Sequence, residues 1–391
     1  MRIKSVSALA VIFGLSAAAS ADPFYVGADV SLLPFIEQQG GVFKDNGVAE
    51  PADEILYNAG CNLFRLRIFV NPDPAYSDTG GAIQNLNYDL ALAQTLKADD
   101  PTAGLELDFH YSDTWADPGE QTTPAAWAND SFSQLQSDVY SYTLNTMDAF
   151  KSAGVMPTIV QVGNEINNGI LWPSGELNFS GTTQQQDQSW QNLGDLLNSA
   201  ISGVRASQNP GQHIPIALHI ANGAQPGEPQ YFFNNIQTLG GVTDFDIMGV
   251  SFYPSDDATI SGLQSNLTAL ADTYTNKKIM VLETNYPYED LSGYSGWPET
   301  PIGQEDELDA VKNVLLGLPN DAGEGLIYWY PEGIQVPDTN IYNGGATALF
   351  ASDGEALPAI DAFSVPEPSC GLILAAAGML FISRRSSRCR G

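Results

Sequence analysis

Two glutamates close apolar runs in this chain of 391 residues. Glu165 ends TIVQVGNE and Glu283 ends KKIMVLE, and polar, turn-forming residues follow each of them. A carboxylate at the tip of a buried strand is expensive unless chemistry or a partner needs it there. Two such acids facing one another have a known use, the cleavage of a glycosidic bond. One protonates the departing oxygen and the other attacks or activates water. A single glutamate of this kind is ordinarily a solvated loop acid. The pair, with Asn164 directly before the first, is harder to explain that way. A metal site competes less well, because His110 and His219 fall on other strands and would line any cleft.

What must position them is an alternation of strands and helices. The strand candidates are FYVGADVS, NLFRLRIFV, GLELDFHYS, MPTIVQVGNE, HIPIALHIAN, DFDIMGVSFYP, KKIMVLETNYP and GEGLIYWYP. Helical patterns lie between most of them, and no glycine-rich dinucleotide fingerprint occurs. Eight strands in this order predict a single α/β domain, a (β/α)8 TIM barrel over residues 22–363, without an internal boundary. The eighth helix rests on the segment ALPAIDAF alone. Functional groups of such barrels gather at the C-terminal strand ends. Here those ends carry Asp29, Arg67, His110, Asn164 with Glu165, His219 to Asn222, Tyr253, Glu283 and Trp329. Glu165 on strand 4 and Glu283 on strand 7 would face each other across the mouth. Aromatic rings beside them suit the apolar faces of a neutral sugar chain. Arg65 and Arg67 alternate onto one strand face, and Arg67 is nearer the tip.

The two ends read as address labels. Residues 1–21 carry Arg2 and Lys4, an apolar run and then Ala19-Ser20-Ala21, the order of a secretory signal peptide. Residues 364–391 hold VPEPS, a short apolar run and the cluster Arg384, Arg385, Arg388 and Arg390. This tail resembles the PEP-CTERM sorting signal of Gram-negative bacteria. It predicts transient membrane association, a sorting protease as partner, and a secreted or cell-surface protein; the run is short for a permanent span. Six of the 15 basic residues lie in these ends against one of the 46 acids. Between them, 9 basic and 45 acidic side chains leave a net charge of −36. Such a surface repels nucleic acid and anionic membrane and tolerates a neutral polysaccharide. Cys370 and Cys389 sit in the tail and Cys61 opens a strand, so no disulfide and no zinc spacing is expected.

The segments GADVS, FRLRIFVNP, DFHYSDTWADPG, QVGNEINNGILWP, ALHIANG, SFYP and LETNYPY resemble glycoside hydrolase family 53, the arabinogalactan endo-β-1,4-galactanases. The likeness extends to ALFASDGEALPAIDAF and so covers nearly all of residues 24–363. It implies a retaining clan A hydrolase acting on β-1,4-galactan, with Glu165 as general acid/base and Glu283 as nucleophile. It also implies that Asn164 meets the sugar 2-hydroxyl, that Tyr253 and His219 position and neutralise the nucleophile, and that Arg67 lies beside it. Asp113 and Trp115 match cleft positions, and Trp329 matches a stacking platform. The chain departs from the family at YWYPEG, where YWEPAW is common, and in the short loop IQVPDTNIYNGG. A long loop there binds calcium in bacterial relatives, so the short one argues against calcium, and no cofactor is expected. Two alternatives remain open: a clan A hydrolase acting on another glycan, and a non-catalytic galactan-binding surface protein.

Overall fold

The computed structural model describes residues 23–75, 81–255, 257–337 and 339–365. The segments read from the sequence as a signal peptide and a sorting tail fall outside the described residues, apart from the first two positions of the latter. Eight parallel strands close into a barrel: β1 (Tyr25–Asp29), β2 (Leu63–Ile68), β3 (Gly104–Phe109), β4 (Ile159–Val162), β5 (Ile216–Ile220), β6 (Ile247–Phe252), β7 (Lys278–Thr284) and β8 (Gly323–Trp329). Each strand pairs with its neighbours in sequence, and β1 pairs with β8 to complete the ring. This is the expected TIM barrel.

Helices α1 (Ala52–Ala59), α2 (Leu86–Asp99), α3 (Phe132–Ser152), α4 (Thr183–Ser207), α5 (Glu228–Thr238), α6 (Ile260–Thr273) and α7 (Pro301–Leu316) form the outer layer. Their starts follow capping chemistry. Asn85, Ser131, Thr182, Thr259 and Thr300 each accept a hydrogen bond from a backbone N–H of the first turn, and Gln185 completes a capping box with Thr182. The eighth position differs from expectation. Pro358–Phe363 is a 3₁₀ helix. Lys312 of α7 donates to the carbonyls of Ala362 and Ser364, which ties this turn to the barrel without a full helix.

Inside the ring the residues sort by height. Leu63, Ile159, Ala217, Ile247, Met280, Leu282 and Ile327 form a dry plug. Above it the same alternation brings Arg65, Arg67, Glu106, Asp108, Gln161, His219 and Ser251 inward, all buried. The seven remaining basic residues also serve the scaffold. Lys44, Lys97, Lys151, Lys277, Lys278 and Lys312 all donate to backbone carbonyls, and Arg205 pairs with Asp244 and Asp246. None of the nine lysines and arginines among the described residues is fully exposed, so the surface charge these residues present is acidic almost throughout.

Candidate active site

Glu165 and Glu283 face one cleft of about 660 Å³ at the C-terminal mouth of the barrel, and the two backbones reach it differently. After β4, Gly163 (φ 84°) and Glu165 (φ 45°) both take left-handed conformations, which swing the Glu165 side chain over the mouth. A non-glycine residue held there costs on the order of 1 kcal/mol, and such strain survives where the surroundings over-determine it. Glu283 depends on a bulge. Met280 and Leu282 point into the barrel, so strict alternation would turn Glu283 outward. The register with β6 slips there: Val250 pairs with Val281, but Ser251 pairs with Glu283. The extra residue turns the carboxylate back inward.

Arg65 organises the floor. Its guanidinium donates at 2.9 Å to Asp29, Asp108 and Glu283, and at 3.1 and 3.0 Å to the side-chain oxygens of Gln161 and Asn164. The Tyr253 hydroxyl donates to the other Glu283 oxygen at 2.8 Å. Burial raises the pKa of Glu283 above its ordinary value, with Arg65 and then Tyr253 working against the rise. Burial would raise Asp108 too, but Arg65, helped by His110, holds it below the usual carboxylate value. Glu165 is less well served. Ser251 Oγ lies 2.5 Å from Glu165 Oε1, and among the described residues no salt bridge reaches this carboxyl, whereas Arg65 pairs with Glu283. Burial, and then the negative charge of Glu283, pushes it up to about 8. Two carboxyls in one cleft therefore differ in kind, one held by Arg65 and the other holding its proton. Unequal acids of this sort divide into proton donor and nucleophile.

Aromatic rings wall the cleft. Trp115 and Trp329 meet at 6.5 Å between centroids, and Tyr253 and Tyr342 stand edge-on to Trp329 at 6.5 and 4.9 Å. Tyr342 belongs to the short loop after β8 and remains 46% exposed. Ile341, Asn343 and Gly344 of that loop also line the cleft, so a short loop still builds a wall. Among the described residues, no group of three or more His, Cys, Asp or Glu side chains is arranged to hold a metal ion.

The profile of glycosyl hydrolase family 53 matches residues 25–363. The chain belongs to glycosyl hydrolase family 53. Its sequence is 38% identical to the arabinogalactan endo-β-1,4-galactanase of Thermothelomyces thermophilus over 87% of this chain and 98% of the relative. The barrel matches a solved fungal β-1,4-galactanase with a TM-score of 0.74 at 36% identity, covering 87% of this chain and 98% of that one. It also matches the family 53 catalytic domain of Ignisphaera aggregans with a TM-score of 0.77 at 31% identity, covering 90% and 99%.

Within this family 53 barrel, Arg67, His110, Trp115, Asn164, Tyr253 and Trp329 line the cleft beside the two glutamates, as the sequence reading expected. Four expectations need correction. Arg65, not Arg67, holds Glu283; Arg67 lies 3.4 Å from Asp29, and its guanidinium sits over the Trp115 ring, 4.5 Å from its centre. His219 is fully buried and reaches Glu165 through Ser251, so it serves the opposite carboxyl from the one expected. Asp29 is fully buried beneath the cleft, where it accepts from Ser31, Arg65 and Arg67. Asp113 stands outside the cleft lining. Its two oxygens accept from the backbone N–H groups of Asn71 and Ala125 and so fix the loop that carries Trp115. The sequence reading missed Ser251, Gln161, Asp108 and Tyr342. The inward alternation of strands 3, 4 and 6 would have flagged the first three. Nothing in the sequence alone marked Tyr342.

Proposed function

We propose that this chain is a retaining endo-β-1,4-galactanase that cuts galactan and type I arabinogalactan. One observation carries the reading: two carboxyls in one aromatic-walled cleft, Glu283 held by Arg65 and Tyr253, and Glu165 protonated near neutrality. Glu165 would donate its proton to the departing glycosidic oxygen while a Glu283 oxygen attacks the anomeric carbon and forms an ester. Glu165, now a carboxylate, would then take a proton from water as that water displaces Glu283, which returns both groups to their starting states. Arg65 and the Tyr253 hydroxyl favour the ionised form of Glu283 against burial and would aim it. Asn164 would bind the sugar 2-hydroxyl, and Trp115, Trp329 and Tyr342 would take the apolar sugar faces. The scheme needs no cofactor. The names of the relatives support galactan as the substrate, and the acidic surface of the described residues is compatible with a neutral polymer. Export through residues 1–21 and sorting through the tail from residue 364 complete the proposal. The test is incubation of residues 22–363 with purified galactan, mannan, xylan and β-glucan, followed by sizing of the products. Short galacto-oligosaccharides from linear galactan alone are expected. Cleavage of xylan or mannan in its place would overturn the substrate.

A further inference from the structure

We propose that Ser251 is a positioning residue that keeps Glu165 protonated, accepting the carboxyl O–H while giving its own hydroxyl proton to His219. The inference rests on Glu165 being the proton donor, but its geometric basis does not depend on the substrate.

The direction of the hydrogen bonds follows from Arg65, which can only donate. Its Nη2 lies 3.0 Å from Asn164 Oδ1, which fixes that atom as the amide oxygen; the Asn164 amide nitrogen then donates to Ala116 O at 2.9 Å. His219 Nδ1 lies 2.9 Å from the same Oδ1 and must therefore carry a hydrogen. Gln161 Nε2 also approaches Nδ1, at 3.2 Å, yet its two hydrogens have better acceptors in Asp108 at 2.6 Å and Asn164 at 3.1 Å. Burial, with Arg65 nearby, holds the His219 pKa well below its ordinary value, so the ring carries one hydrogen only. His219 Nε2 is then bare and accepts. Among the described residues the hydrogen-bond partner of this nitrogen is Ser251 Oγ at 2.9 Å, whose one hydrogen is thereby committed. Ser251 Oγ meets Glu165 Oε1 at 2.5 Å with only a lone pair to offer, a contact that suits a protonated carboxyl.

The groups facing this chain agree with that polarity. Glu165 looks toward Glu283 and Asp117, both of which favour its neutral form; Arg65 opposes them, and so would the Ser251 hydroxyl if it donated to a Glu165 carboxylate, the polarity that the His219 contact argues against. Tyr253 faces both glutamates and stays neutral. His219 is surrounded by Arg65, Asp108 and His110. When Glu165 releases its proton to the leaving oxygen, the Ser251 hydroxyl can rotate to donate to the new carboxylate, and His219 Nε2 loses its partner. No proton leaves Ser251. The rotation couples the state of Glu165 to a buried neutral histidine.

The sign of one shift tests this. Ser251→Ala removes an acceptor of the protonated acid, so the alkaline limb of kcat/KM on galactan should fall by roughly half to one pH unit. Ser251→Thr, which keeps the hydroxyl, should leave the limb in its original place. A hydroxyl that merely donated to the Glu165 carboxylate would give the opposite result, a limb that rises in Ser251→Ala. Nitrogen-15 NMR of the unmodified protein supplies a readout that needs neither folding of a variant nor activity. The chain holds three histidines, which keeps the spectrum simple. His219 should appear as the neutral form protonated at Nδ1. A ring protonated at Nε2, or a limb that rises, would overturn the proposal. Normal turnover by Glu165→Gln would instead overturn the assignment of the acid.

Discussion

Replacing Arg65 with methionine tests how the floor of the cleft is held. The guanidinium is fully buried and makes three carboxylate contacts of 2.9 Å, to Asp29, Asp108 and Glu283. Methionine fills much of the volume but leaves those acids without their cation. Breaking a buried ion pair from one side costs about 3–5 kcal/mol at neutral pH. For a domain of this size that corresponds to a fall in Tm on the order of 10 °C. The loss should depend on pH with a definite sign. In the native chain Asp108 is held below its ordinary value, so it adds stability above the unfolded carboxylate pKa, and that stability disappears as pH falls through the folded value. In the variant the contribution is gone, and the buried acids are driven toward their neutral forms, which penalises folding more as pH rises. The stability gap should therefore be wide at pH 7 and narrow toward pH 4.5. Urea unfolding at both values measures it. A gap below about 1 kcal/mol at pH 7, or a wider gap in acid, would refute this account of the floor.

Other predictions follow from the same cleft. Glu283→Ala should abolish hydrolysis of galactan, and azide or formate should restore part of it with inverted product. Glu165→Ala should spare substrates with good leaving groups, and azide should speed their turnover with retention; no rescue in either case would remove the assigned roles. Trp115→Ala and Trp329→Ala should each raise KM on polymer several-fold while the melting curve stays cooperative. Wild-type kinetics in both would show that the rings do not carry the sugar. With its cations spent on the scaffold, the acidic surface should gain from screening as the Debye length shrinks from about 10 Å at 0.1 M salt to 3 Å at 1 M. Tm should hold or rise over that range, and a steep fall would contradict it.

The barrel was legible because its eight strands are apolar runs that end in polar groups, and the two glutamates stood out for the same reason. What stayed hidden depends on register and reach. Alternation along KKIMVLE cannot reveal that Leu282 and Glu283 both turn inward, because the slip against β6 exists only once the strands pair. The choice between Arg65 and Arg67 went wrong through a rule of proximity to the tip. A guanidinium reaches far, so the deeper arginine spans Asp108 and Glu283 while the upper one turns toward Trp115. His219 was assigned to Glu283, whereas it reaches Glu165 through Ser251, an inward position that alternation marks but whose link to Glu165 appears only once the strands and loops pack. Asp113 shows the opposite error: a polar residue beside a tryptophan in a cleft segment spends both oxygens on backbone N–H groups. ALPAIDAF carries too few residues for three helical turns, and the clamp from Lys312 makes a 3₁₀ turn sufficient.

The central claim is direct attack by Glu283 with Glu165 as acid, and the stereochemistry of the first product tests it most directly. Proton NMR of a fresh digest of galactotetraose should show the β-anomer of the new reducing end appearing first, with the α-anomer growing only by mutarotation. That order requires two displacements, and carboxyl groups about 5–5.5 Å apart in a crystal structure would accord with it. An α-anomer formed first would mean that water, not Glu283, attacks the sugar, and would contradict the account.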